Sequence, residues 1–128
     1  MRNDIIDDKL KQLHKYKYRS SFHLRKYMIS YIDEKGIKVI KRHTIDFINQ
    51  KLASKNPLND GFQTPMKSHP VFIAMHATGT CCRSCLKKIH NIDKNRSLTE
   101  NEKNYIEQLI LTWIQNEYKE YKNGKNKR

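Results

Sequence analysis

The stretch LTENEKNYIEQLILTWIQNEY, from Leu98 to Tyr118, sets the fold class. Thr99 and Glu102 have the S/T-x-x-E spacing of a capping box, which satisfies the free N–H groups of a helix start. Behind them Ile106, Leu109, Ile110, Trp113 and Ile114 recur at steps of three and four, the stripe of a helix with one buried face. Ile37, Ile40, Ile48 and Leu52 repeat that spacing, with Thr44 and Ile45 filling the gap. Leu24 to Tyr31 carries a weaker helical pattern, and Asp4 to Lys15 the weakest. No stretch alternates every second residue between hairpin turns. The expected fold is therefore all-α, a compact bundle of about four or five helices.

Glycine and proline divide the pattern. Gly36 fits the position just past a helix ending near Glu34 or Lys35. NPLNDGFQTPMKSHP, from Asn56 to Pro70, holds all three Pro and reads as a long structured loop ahead of a His/Cys cluster. Gly79 separates two further helical patterns. A single helical domain is expected over 21–118, with a basic arm over 1–20 and a basic, disordered tail over 119–128.

The chain has 128 residues and only 37% of them are hydrophobic, enough for one economical core. The longest apolar run, Val71 to Met75, is far too short for a bilayer, and the N-terminal residues lack the apolar stretch of a signal peptide. We expect a cytoplasmic protein with no membrane partner. Three Cys, two of them adjacent, fit a reduced compartment better than a disulfide framework. The net charge of +13 is uneven: from Lys9 to Lys26 there are seven Lys or Arg and no acid. Clustered cations release counterions from a phosphate backbone, so nucleic acid or another polyanion is the expected partner. Lys15, Lys17, Arg19, Arg25, Lys41 and Arg42 are the candidates for phosphates, with Tyr16, Tyr18 and Phe22 for base stacking. The alternative is that Lys serves as solvated surface and the three aromatic rings cover the core.

Between His69 and His90 lie three His and all three Cys. Three readings fit them. In the first, Cys82 and Cys85, spaced C-x-x-C, join His76 and His90 in a Cys2His2 shell, with His69 and Cys81 in reserve; thiolate and imidazole together favour zinc. A continuous helix from Cys81 to His90 opposes this, because five residues separate Cys85 from His90, about 140° around the axis. In the second, Cys82, Cys85, Leu86 and Ile89 form one buried face of a helix, a metal-free Cys core with Arg83 on the wet side. In the third, Cys81 or Cys82 sits in the first turn of a helix opened by Thr78-Gly79-Thr80. The helix dipole and Arg83 would lower its pKa there, and His76 or His69 would serve as base or orienter. No Gly-rich phosphate loop or zinc-protease motif is present.

The run NDGFQTPMKSHPVFIAMHATGTCCRSCLKKIHNI, with RSLTENEKNYIEQLI after it, resembles a family of small bacterial and phage proteins known only as a domain of unknown function. The likeness spans most of Gly36 to Ile114 and departs from the family's pattern at Ile89 and in the Lys-rich arms. It implies a lined pocket, since its distinctive letters include Asn59, Asp60, Gln63, Thr64, His69, His76 and Arg83, more than a zinc clip requires. Two functions follow as expectations: a small basic zinc protein that contacts nucleic acid, or a small enzyme whose Cys81, Cys82 or open-site metal works beside Asp60, His69 and His76.

Overall fold

The structure is a computed structural model that describes residues 2–54 and 64–124. All secondary structure among the described residues is helical. Among the described residues there are seven helices, more than the four or five expected, since one of four residues is too short to show a repeat and one of eight is buried on nearly every side. In order they are α1 (Arg2–His14), α2 (Lys17–Ser20), α3 (Lys26–Lys35), α4 (Ile37–Lys51), α5 (Pro70–Ala77), α6 (Arg83–His90) and α7 (Glu100–Lys122).

The capping box at Thr99 forms as the sequence predicts, with the Thr99 hydroxyl accepting from Glu102 N and the Glu102 carboxylate accepting from Thr99 N. Ile106, Leu109, Ile110 and Ile114 are all buried behind it. Against this 23-residue helix pack α1, α4 and α5. The segment 1–20 thus supplies α1 and α2, and Ile6 and Leu13 of α1 enter the core. At the other end α7 runs on through 119–122, while 125–128 lie outside the described residues.

Gly36 joins α3 to α4 in a single residue at φ 85° and ψ 157°, a conformation that costs any residue with a Cβ. On α4 the buried residues are Ile40, Thr44 and Ile48, while Ile37 and Ile45 of the expected stripe are exposed. Thr44 sits in the core because its hydroxyl donates to Ile40 O at 2.9 Å.

Helix α5 is the centre of the molecule. Val71, Ile73, Ala74, Met75, His76 and Ala77 are all buried, and a helix buried on nearly every side has no amphipathic signature to read. Pro70 occupies its first turn and His69 caps it, with Nδ1 accepting from Val71 N at 3.0 Å. A four-residue turn then leads to Cys82, the N-cap of α6. Thr78 Oγ1 donates to Ala74 O at 2.7 Å and Thr80 N to Met75 O at 2.8 Å, so the turn folds back on α5. Asn91, left-handed at φ 55°, ends α6; Ile92 N returns to Leu86 O and Asn91 N to Lys87 O.

Gly79, at φ 70°, has no room for a side chain, since a Cβ there would meet Ile89 Cδ1 at 2.5 Å. Gly79→Ala is expected to lower the unfolding free energy by about 2 kcal/mol in urea titrations. On an Ile89→Val background, which deletes Cδ1, the loss should shrink. An undiminished loss would assign the cost to the backbone conformation alone.

Candidate metal centre

The turn between α5 and α6 delivers three sulfurs to one place. Cys81 precedes the N-cap, Cys82 is the N-cap and Cys85 lies in the first turn of α6. Their Sγ atoms all fall within 4.8 Å of one another, and Cys81 and Cys85 approach to 3.6 Å. Cys82 Sγ accepts from Cys85 N at 3.4 Å, the role an N-cap Ser or Asp oxygen would play. Cys81 and Cys82 are buried and Cys85 half-buried. The Cys82–Cys85 pair expected from the C-x-x-C spacing is therefore joined by Cys81.

Arg19 closes the group from α2. Its Nη2 donates to Cys85 Sγ at 3.4 Å, and its Nη1 reaches His76 O at 2.6 Å and Cys81 Sγ at 3.9 Å. Arg19 was expected on phosphates; its guanidinium instead faces sulfur. Hydrogen bonds from the Cys81 and Cys82 thiols, together with Arg19, hold the Cys85 thiol well below its ordinary pKa. The bonds with Cys82 and Cys85, and burial, push Cys81 up. Of the three thiols Cys85 is the one whose ionisation is favoured, since it takes the Arg19 hydrogen bond at 3.4 Å. The first-turn thiol is Cys85, where the sequence reading placed Cys81 or Cys82, because the helix starts at Arg83.

The imidazoles do not join the sulfurs. His90 spends both ring nitrogens elsewhere: Nε2 on Thr78 O at 2.7 Å and Nδ1 on the Tyr105 hydroxyl at 2.9 Å. Nε2 of His76 donates to Thr64 O and Pro65 O, each at 3.1 Å, and its ring stacks on Phe22. Thr64 in turn donates its hydroxyl to Cys81 O at 2.7 Å. His76 and Thr64 therefore brace the backbone that carries the sulfurs. The group of close donors is Cys81, Cys82 and Cys85, with neither His76 nor His90.

Arg83 is 1% exposed and has no wet face. Its Nη1 donates to Leu52 O and Ser54 O and its Nη2 to Asp93 O and Arg96 O, at 2.6 to 3.0 Å. It fastens the end of α4 to the loop after α6, and its terminal nitrogens are committed to carbonyls. Of the other pocket residues expected from the sequence, Asn59, Asp60 and Gln63 lie outside the described residues. Lys15, Lys17, Arg25, Lys41 and Arg42 are exposed, with Lys41 3.9 Å from the Glu107 carboxylate. Tyr16 and Tyr18 are exposed, whereas Phe22 packs on the core.

A second imidazole group went unread in the sequence. His69 Nε2 lies 3.0 Å from His43 Nδ1, within a ring cluster of Tyr31, Phe47 and Phe72. Because His69 Nδ1 accepts from Val71 N, the neutral ring must carry its proton on Nε2 and donate it to His43. No local spacing signals this pair, since 26 residues separate the two.

The family model described as Domain of unknown function (DUF4186) matches residues 7–115, and the chain belongs to that family. No solved structure matches it. Among the described residues no helix is long and apolar enough to cross a membrane.

Burial depresses the pKa of His69, with the His43 charge adding to it, and burial depresses that of His90; each falls to about 4. The unfolded chain then binds more protons between about 4 and 6.5, so stability is full above that window and drains as pH falls through it. The unfolding midpoint should drop from pH 7 to pH 5, and a His69→Asn, His90→Gln double variant should flatten the slope. An unchanged slope would contradict the assignment. Arg83→Lys should cost about 3 kcal/mol or more in denaturant titrations, because a single ammonium cannot serve four carbonyls; a loss below about 1 kcal/mol would refute the fastening role.

Proposed function

For a chain of this family we propose a metal-binding role: Cys81, Cys82 and Cys85 hold one thiophilic ion, zinc first, through their Sγ atoms. One observation carries this reading. Zn–S bonds of about 2.3 Å in a tetrahedron set sulfurs about 3.8 Å apart, and Cys81 and Cys85 already stand at 3.6 Å with Cys82 inside the same 4.8 Å group. Soft thiolates exclude magnesium and calcium.

Charge balance supports the same reading. Three thiolates around a divalent ion leave one negative charge, and Arg19 brings one positive charge to within 3.4 Å of Cys85 Sγ. A guanidinium so placed orients and neutralises the centre without ligating it. Three protein ligands leave a fourth position for water or a substrate atom, the arrangement of catalytic zinc. His76, Thr64 and the Gly79 turn would hold the ligand backbone rigid, and His90 would tie α6 to α5.

A second reading, a reactive thiol, rests on Cys85 being half-buried in the first turn of α6 beside Arg19. Elemental analysis separates the two. Native protein should carry one zinc per chain, lost in Cys81→Ser, Cys82→Ser and Cys85→Ser but retained in His76→Asn and His90→Gln. Arg19→Ala should weaken zinc affinity about tenfold. Metal-free native protein in which Cys85 alkylates ahead of Cys81 and Cys82 would overturn the metal reading in favour of the thiol.

A further inference from the structure

A groove of about 900 Å³ opens beside the start of α3, lined among others by Phe22, His23, Arg25, Lys26, Tyr27 and Lys67. Among the described residues no Asp or Glu lines it. Arg25, Lys26 and Lys67 form no ion pair with a described residue. Tyr27 stands at its edge, 53% exposed, while its hydroxyl accepts a hydrogen bond from Ser68 N at 3.2 Å. The ring is thus fixed at one end and open to solvent, a preset surface that loses little freedom when something stacks on it.

The other two clefts lack this combination. One is lined by Asp7, Glu117 and Glu120 as well as by cations. The other holds Lys9, Arg19 and Lys88 beside the exposed Tyr16 and Tyr18, but Lys9 donates to Ile89 O and Arg19 serves the sulfurs, which leaves Lys88 as its remaining cation. The groove at α3 offers three cations without a described ion pair beside an exposed aromatic ring whose hydroxyl is held by Ser68 N.

We propose that this groove binds single-stranded nucleic acid, with Arg25, Lys26 and Lys67 on successive phosphates and a base stacked on Tyr27. Charge complementarity selects a polyanion, and the aromatic ring selects one with free base faces. In a duplex those faces are stacked on each other, so Tyr27 would have nothing to meet. The site shares no ligand with the sulfur group, and it stands or falls apart from the metal reading. Of the residues expected on phosphates from the sequence, Arg25 alone belongs to it.

The test is fluorescence anisotropy of a labelled twelve-residue oligothymidine titrated with the full chain between about 50 and 200 mM salt. Three phosphate contacts to a single strand predict a log–log salt slope of about −2. Arg25→Glu, Lys26→Glu and Lys67→Glu combined should weaken binding at least about tenfold. A charge-matched control, Lys38→Glu, Arg42→Glu and Lys119→Glu, should cost less than about threefold, and thermal melts confirm that both variants fold. Tyr27→Ala should weaken oligonucleotide binding about tenfold and leave heparin binding unchanged. Equal losses in the two triple variants would overturn the proposal in favour of diffuse surface charge. So would absent oligonucleotide binding, or a Tyr27→Ala loss shared by heparin.

Discussion

The buried guanidinium of Arg83 is the constraint on which the sulfur-bearing turn depends. It joins four carbonyls from the end of α4 and the loop between α6 and α7, two segments that Leu98 N also links by donating to Ala53 O at 2.9 Å. Burying a cation costs several kcal/mol, and charged hydrogen bonds return about 1.5–3 each, so the net contribution to stability is small. What the arrangement supplies is position. Arg83 is the first residue of α6, so fixing its side chain fixes the start of that helix, and Cys82 and Cys85 with it.

From that anchor the rest of the centre follows by short steps. Gly79 lets the chain turn back against Ile89, Thr64 holds the Cys81 carbonyl, and His90 returns from the end of α6 to Thr78. Arg19 arrives from 62 residues earlier in the chain and brings a positive charge to the sulfurs. Its guanidinium also holds the His76 carbonyl near the end of α5 at 2.6 Å. The two arginines divide the work: Arg83 places the backbone, and Arg19 sets the charge.

Local rules made much of this legible in the sequence. The capping box, the α7 stripe and Gly36 each depend on neighbours a few residues away, and each stands where the pattern puts it. The family was legible too, through the run around the cysteines. Two kinds of feature were not. The four-residue α2 shows no period, and α5 is buried on nearly every side, so the helix count came out low. Long-range partners leave no trace in spacing. Nothing near Arg19, His43 or Tyr105 announces their contacts with Cys85, His69 and His90. The C-x-x-C spacing lies in the turn that gathers the three sulfurs, whereas the flanking histidines bond carbonyls and a hydroxyl and stand outside that group.

The proposed metal-binding role turns on which atoms would surround a bound ion. X-ray absorption fine structure at the zinc edge of the purified protein counts them directly. Three sulfur scatterers at about 2.3 Å with one nitrogen or oxygen scatterer near 2.0 Å are expected. A shell of two sulfurs and two imidazoles would contradict it, since that would require His76 or His90 to leave the carbonyls and hydroxyl they now hold.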